Sequence, residues 1–244
     1  MKQLFLFILL MLEVSNEALY AQPCSGSPLF KQGKQLVFLV ETSPESIAHG
    51  SPATAKSIVP AVMNRMKNTY LIDSVKSQGI TIDAVFRISK SENLTTDVMQ
   101  KNPASASTFN KVSCNGRSIY YTTTVRSART NATYVTEYPL DMKVGDKLKD
   151  NIIESSKGGD KKSGGYNVLV ERSVVGQEII STPAGKWNCF KIAETFTTTI
   201  PGSNGGPPTS ITGATPDYTW FTPDLGIIKI TMGTWYTTTL IALP

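Results

Sequence analysis

The chain has 244 residues, a formal net charge of +5 and only 18% charged residues, with no long run of one sign. That balance excludes the dense basic stripe of a nucleic-acid binder. With three widely spaced cysteines and one histidine, a metal knuckle is also excluded, and neither a metal nor an organic cofactor is expected.

The first segment, residues 1–21, reads as a secretory signal peptide. Lys2 precedes an apolar run over 4–12, and a short polar stretch ends in Ala18-Leu19-Tyr20-Ala21. The run is about half the roughly 20 residues a bilayer-spanning helix needs, so it is an address and not an anchor. Cleavage after Ala21 leaves Gln22 at the mature N-terminus. A lipid on Cys24 is the rival reading, but Pro23 stands where such processing wants a small residue. No later stretch has the length and apolarity of a transmembrane segment. Residues 22–244 are expected to form a single antiparallel β domain, large enough for a real core.

Strand signals, short β-branched and aromatic runs between Gly, Pro, Asn and Asp, begin at 35–41. The Pro- and Ser-rich residues 42–60 predict a loop. Val62, Met63 and Met66 fall near one helical face, which predicts a turn or two of helix over 61–67. Residues 68–76 and 80–89 form a hairpin closed by Ser77-Gln78-Gly79. After polar residues 91–107, strands at 108–113 and 117–127 flank Asn115-Gly116, the strongest short-range hairpin signal. A strand at 133–138 leads into a turn-rich connector over 139–146.

The basic, Gly-flanked stretch 157–162 reads as a solvated hairpin tip. Strands follow at 166–172 and 174–182, joined near Val175-Gly176. Pro183-Ala184-Gly185 makes a turn into a strand over 187–199. There Phe190 and Ile192 share one face, and Trp187, Cys189 and Lys191 take the other, which predicts a strand covered at least partly on each side. Residues 201–216 form a loop, and 218–222, 226–232 and 234–242 are closing strands. About ten strands in hairpin succession, with no strong helices between them, predict a mainly β fold: a curved antiparallel sheet, half-barrel or sandwich-like meander with little helix.

No constellation for catalysis stands out. His49, the one histidine, lies in a Ser- and Pro-rich loop without a nucleophile elbow. Cys189 sits inside a strand, where a structural thiol is expected. Glu137, Asp141, Glu171, Glu178 and Glu194 offer carboxylates, yet no spacing among them selects an acid–base pair. The Gly pairs at 158–159 and 164–165 precede a strand and not a phosphate-cradling helix, and 202–206 fails likewise. Asn93-Leu94-Thr95 and Asn131-Ala132-Thr133 fit a glycosylation acceptor, a pattern too common by chance to use. The strand aromatics Tyr120, Tyr121, Tyr134, Tyr138, Trp220, Phe221, Trp235 and Tyr236 either fill the core or line a concave face for an apolar ligand; core filling is the preferred reading. Cys24, Cys114 and Cys189 all survive processing into an oxidising compartment, where two of the three are expected to pair; the sequence does not select which.

Five segments in order resemble a known group. They are the start at 24–34, the hairpin VSCNGRSIY at 112–120, the connector YPLDMKVGDKL at 138–148, the phrase VVGQEIISTPAGKWNCFKI at 174–192, and YTWFTPDLGIIKI at 218–230. Together they resemble the TapB-like group related to the family of unknown function numbered 3108, exported bacterial proteins frequent in Bacteroidetes. Two departures stand out: a longer stretch at 43–68 replaces a short hairpin, and Trp220-Phe221-Thr222-Pro223-Asp224 lacks the usual Trp-Tyr and glycine details. The resemblance implies an envelope location, periplasmic or at the cell surface, and a curved antiparallel sheet. It brings no catalytic residues. The expected function is therefore a non-catalytic exported protein that binds an envelope protein or an apolar ligand on its curved sheet. The alternatives are a structural accessory of a cell-surface assembly, or a hydrolase with two facing acids.

Overall fold

The computed structural model describes residues 24–43, 63–94, 108–126, 131–155, 165–202 and 206–243. The readings of residues 1–21, His49, 157–162 and most of the 42–60 loop lie outside these residues. Thirteen strands form one antiparallel sheet: β1 (Gln35–Thr42), β2 (Asn64–Gln78), β3 (Thr81–Asn93), β4 (Thr108–Cys114), β5 (Ser118–Arg126), β6 (Asn131–Pro139) and β7 (Lys147–Ser155), then β8 (Tyr166–Thr182), β9 (Gly185–Ile200), β10 (Thr209–Thr212), β11 (Asp217–Thr222), β12 (Gly226–Met232) and β13 (Tyr236–Ala242). The order across the sheet is β6-β5-β4-β3-β2-β1-β13-β12-β11-β9-β8-β7, with β10 hanging on the end of β9. Twelve strands in that path curl until β6 and β7 meet, a nearly closed barrel. The expected mainly β, curved antiparallel fold is what forms.

Inner and outer faces follow the two-residue period of the strands. Leu36 and Phe38, Tyr70 and Ile72, Ala84 and Phe86, Ile119 and Tyr121, and Ile228 and Leu240 are all buried in one core. Tyr138 stacks on Phe221 with ring centroids 4.6 Å apart, and Tyr121 meets Tyr138 edge-on at 5.6 Å. Of the eight strand aromatics expected to fill the core, Tyr121, Tyr138, Trp220 and Phe221 are buried, Tyr120, Tyr134 and Tyr236 are half-buried, and Trp235 is exposed. Outside, β1 to β4 carry cross-strand ion pairs: Arg65 with Glu41, Arg87 with Asp73, and Lys111 with Asp83. Each is exposed and adds little stability. No helix among the described residues is long and apolar enough to cross a membrane.

One end of the barrel is plugged from within the chain. A disulfide joins Cys24 to Cys114, and a short 3₁₀ helix at Pro28–Phe30 inserts Leu29 and Phe30 into the core. Ser27 caps that helix by accepting the Leu29 N–H. Gly226, at φ +84°, lies so close to this plug that a Cβ there would collide with the Tyr121 hydroxyl and with Leu29. The Tyr121 hydroxyl itself accepts the Ile227 N–H at 3.2 Å.

Several local expectations are corrected. Residues 64–67 extend β2 and form no helical turn, because pairing with β1, Met66 opposite Val40, outweighs a weak helical spacing. The β2–β3 turn is Gly79-Ile80, with Gly79 at φ +58°. The next hairpin turns one residue later than predicted, at Gly116-Arg117, and Asn115 instead caps it by accepting the Arg117 and Ser118 N–H groups. The predicted strands at 166–172 and 174–182 are one strand, β8, whose bulge near Val175 absorbs the irregularity. Trp235 lies in the β12–β13 turn, not on a strand. β7 was not predicted at all, and neither was β10: Thr209–Thr212, inside the stretch 201–216 read as a loop, pairs with the end of β9.

Candidate functional site

The seam between β6 and β7 is where the barrel fails to close. Every other neighbouring pair in the path is joined by a backbone ladder, while no register pairs β6 with β7. The connector between them explains the gap. Its first residue is tied to one side of the barrel, Leu140 N–H to the Arg117 carbonyl at 2.8 Å. Its last residues are tied to the other: Gly145 N–H to the Val174 carbonyl at 2.8 Å, and Val174 N–H to the Asp146 carbonyl at 2.9 Å. The connector is thus held at both edges and spreads them. β7 adds a bulge, since Leu148 faces Arg172 while Asn151 faces Val170, leaving Lys149 and Asp150 out of register.

Between the spread edges lies a cleft of about 450 Å³, lined by Glu137, Asp141, Met142, Lys143, Lys147 and Leu148 among others. Glu137 Oε1 accepts from the Ser118 hydroxyl at 2.8 Å and from the Tyr120 hydroxyl at 3.1 Å. Asp146 accepts the Lys143 N–H at 2.7 Å. Lys143, Lys147 and Lys149 have no ion-pair partner among the described residues.

Farther along, side chains replace the missing ladder. Asn151 donates to the Thr136 hydroxyl at 2.9 Å across the seam, both residues being buried. Arg172 of β8 reaches past β7 and donates from Nη1 to the Glu137 carbonyl of β6 at 2.9 Å. Its guanidinium lies 4.5 Å from the Tyr138 ring centre, and its Nε donates to Glu194 Oε1 at 3.2 Å. The Arg172 side chain is wholly buried, and its Nη2 has no acceptor among the described residues. Burial pushes the Glu194 carboxyl above its ordinary range; Arg172 opposes the rise and Asp217 adds to it. Asp217 stands directly opposite Glu194 in the β9–β11 register and accepts the Gly233 N–H.

The predicted residues fall in different places. Cys24 and Cys114 form the plug's disulfide, and Cys189 is free and buried. Desolvation, with Glu178 beside it, pushes the Cys189 thiol up to about 12, far from a nucleophile's range. Cys189 and Ile192 are both fully buried although they point to opposite faces, as a strand covered on each side requires. Of the five carboxylates, Glu137 and Asp141 share the cleft, Glu194 is inside the barrel, Glu171 is exposed, and Glu178 lies outside against Trp220. Arg172, Asn151, Thr136 and Asp217 were missed. Arg172, Asn151 and Thr136 are polar residues buried among apolar neighbours and Asp217 is half-buried, a signal visible only once the strands' faces are assigned.

At the plugged end the interior is full. Leu29, Leu36, Phe38, Tyr70, Tyr121 and their neighbours leave a void of about 20 Å³, room for about one water.

A profile of the DUF3108-like family matches residues 62–231. No curated protein matches the chain. Two solved structures are similar to it. One is a candidate exported protein with YmcC-like fold from Bacteroides fragilis, at 16% identity and TM-score 0.48, with 88% of this chain and 96% of that chain covered. The other is a candidate lipoprotein from Parabacteroides distasonis, at 14% identity and TM-score 0.51, with the same coverage of each chain. At 14% identity the second is a likeness of fold alone.

Proposed function

The chain belongs to the DUF3108-like family, and from that premise we propose that it acts outside the cytoplasm as a non-catalytic binding protein that engages a partner protein at the β6–β7 seam. The observation that carries this reading is the seam itself: two neighbouring edge strands without a ladder, spread around a cleft of about 450 Å³. An unpaired edge is a standing offer of backbone donors and acceptors. Export is supported by the leader-like residues 1–21, by a disulfide of the kind that persists in oxidising compartments, and by a fold shared with a candidate lipoprotein. The apolar-ligand version is the weaker one, because the plugged end holds only about 20 Å³ of void, far below the few hundred Å³ of an ordinary ligand pocket.

The test is site-specific photo-cross-linking in native envelope extracts. A photoreactive side chain at Lys147, beside the cleft, is compared with one at Arg87 on the outer face of β3. A discrete adduct at Lys147 and none at Arg87 is the expected result. No adduct at either site, or the same adducts at both, would sink the reading.

A further inference from the structure

We infer that the occupant of the β6–β7 seam is an extended polypeptide segment of the partner, which adds to the sheet as a strand where the two edges diverge. The inference rests on the proposed binding role of the seam and specifies its chemistry.

Three observations lead to a strand and not to a compact ligand. The first is hydrogen bonding. Among the described residues β7 pairs with β8 on one side only and β6 with β5 on one side only, so each keeps a row of peptide groups outside any ladder there. Groups at strand spacing are matched by another extended backbone, which offers alternating donors and acceptors at the same repeat. That the Glu137 carbonyl draws a guanidinium from two strands away shows how these edge groups are satisfied when no strand is present.

The second is the outer surface of the seam. Val135 of β6 is 52% exposed, Ile152 of β7 is 65% exposed and Val144 of the connector is 55% exposed. Thr136 and Asn151 meet on the inner side, so their neighbours Val135 and Ile152 flank the seam on the outer side. Apolar side chains from alternate positions of an added strand would cover them.

The third is the way the edges are held. The connector is bonded to the β4–β5 turn at its start and to β8 at its end, which keeps the plugged end of the seam apart without ligand. The cleft is therefore preformed, and a strand enters it without first unzipping a ladder. Where the cleft ends, β6 and β7 lie close together, and among the described residues the Arg172–Glu137 and Asn151–Thr136 bonds join them, so a strand running farther displaces these bonds and parts the two edges.

The experiment uses the disulfide-intact mature chain and a set of synthetic peptides of about eight residues, an ordinary strand length, alternating Val or Thr with Glu or Lys. Amide hydrogen exchange is followed for β6 and β7, with β2 and β3 as internal reference. A binding peptide is expected to raise protection at the seam by about tenfold or more, leaving β2 and β3 unchanged. The same peptide N-methylated at alternate residues, which cannot donate to the edge, is expected to have no effect. A Val135→Lys, Ile152→Lys double variant with unchanged near-ultraviolet circular dichroism is expected to lose the gain.

Equal protection from the N-methylated peptide, or no seam protection from any peptide, overturns the strand mode. So does a chain that sediments as a dimer with seam amides already protected, since the occupant is then a second copy. If the Lys147 cross-link forms but the peptides fail, the binding site stands and only the strand mode falls; if both fail, the site falls with it.

Discussion

Arg172 on β8 and Glu137 on β6 are joined across the intervening β7, guanidinium Nη1 to main-chain oxygen at 2.9 Å. One side chain thus spans three strands and holds together the two ends of a sheet that its backbone leaves unjoined. The same guanidinium is paired with Glu194 inside the barrel, so seam and core depend on a single buried cation.

Replacing Arg172 by Met is expected to destabilise the fold by about 3–5 kcal/mol, because it leaves Glu194 buried without its partner. Urea unfolding measures the loss. The Arg172→Met, Glu194→Leu double variant is expected to recover part of it, since both charges are then gone. A single variant as stable as the parent would mean that the pair is not closed in solution.

Glu194 gives the stability a defined pH slope. Burial raises its carboxyl above the ordinary 4.5, despite Arg172, and Asp217 is likewise raised from 3.8. A group whose folded value is raised contributes stability that is fully present below its unfolded value and is lost as pH rises through its folded value. As pH rises from the ordinary values of 3.8 and 4.5 through the raised folded ones, the two acids therefore pull stability downward. Denaturant midpoints measured across that window should fall less steeply for Glu194→Gln than for the parent chain; parallel curves would contradict the assignment.

Gly226 and Gly79 both sit at positive φ, +84° and +58°, but only Gly226 is crowded, by Tyr121 and Leu29. Gly79→Ala is expected to cost about 1 kcal/mol from backbone strain alone. Gly226→Ala should cost clearly more, because the plug or the Tyr121 ring must also move. Thermal melts of the two variants give the comparison, and equal losses would argue against the packing around Leu29.

Cys24 and Cys114 are 90 residues apart in sequence. By loop entropy their bond is worth about 4–5 kcal/mol. A Cys24→Ser, Cys114→Ser chain should melt well below the parent. In the oxidised parent, Cys189 should not react with a thiol reagent at neutral pH until the chain unfolds, since its thiol is buried and pushed up to about 12. Rapid titration of one thiol in the native protein would show that this side of β9 is open.

Most of the strands were legible because their causes are local. Val, Ile, Thr and aromatic residues between turn residues at 68–76, 117–127 and 187–199 announce strands whatever surrounds them. β7 escaped because Lys147-Leu148-Lys149-Asp150 has one apolar residue and a bulge, so its period is broken where it would have been read. Its pairing with β8 forms the strand, and that pairing is tertiary. The helix expected over 61–67 failed at its described residues 64–67 for the same reason in reverse: a weak helical spacing yielded to a long-range partner.

The sequence by itself determined the strand-rich class, most turns, the family, and the presence of three cysteines without saying which two would meet. Those properties follow from residue type and short-range spacing. Only the tertiary structure decided that Cys24 pairs with Cys114, that Tyr138 and Phe221 stack in the core while Trp235 stays exposed, and that β6 and β7 face each other without a ladder. It also decided that Arg172 and Glu194 are buried together. Such facts depend on how far the sheet curls before its ends meet, a sum of twists and bulges over twelve strands that no local window contains.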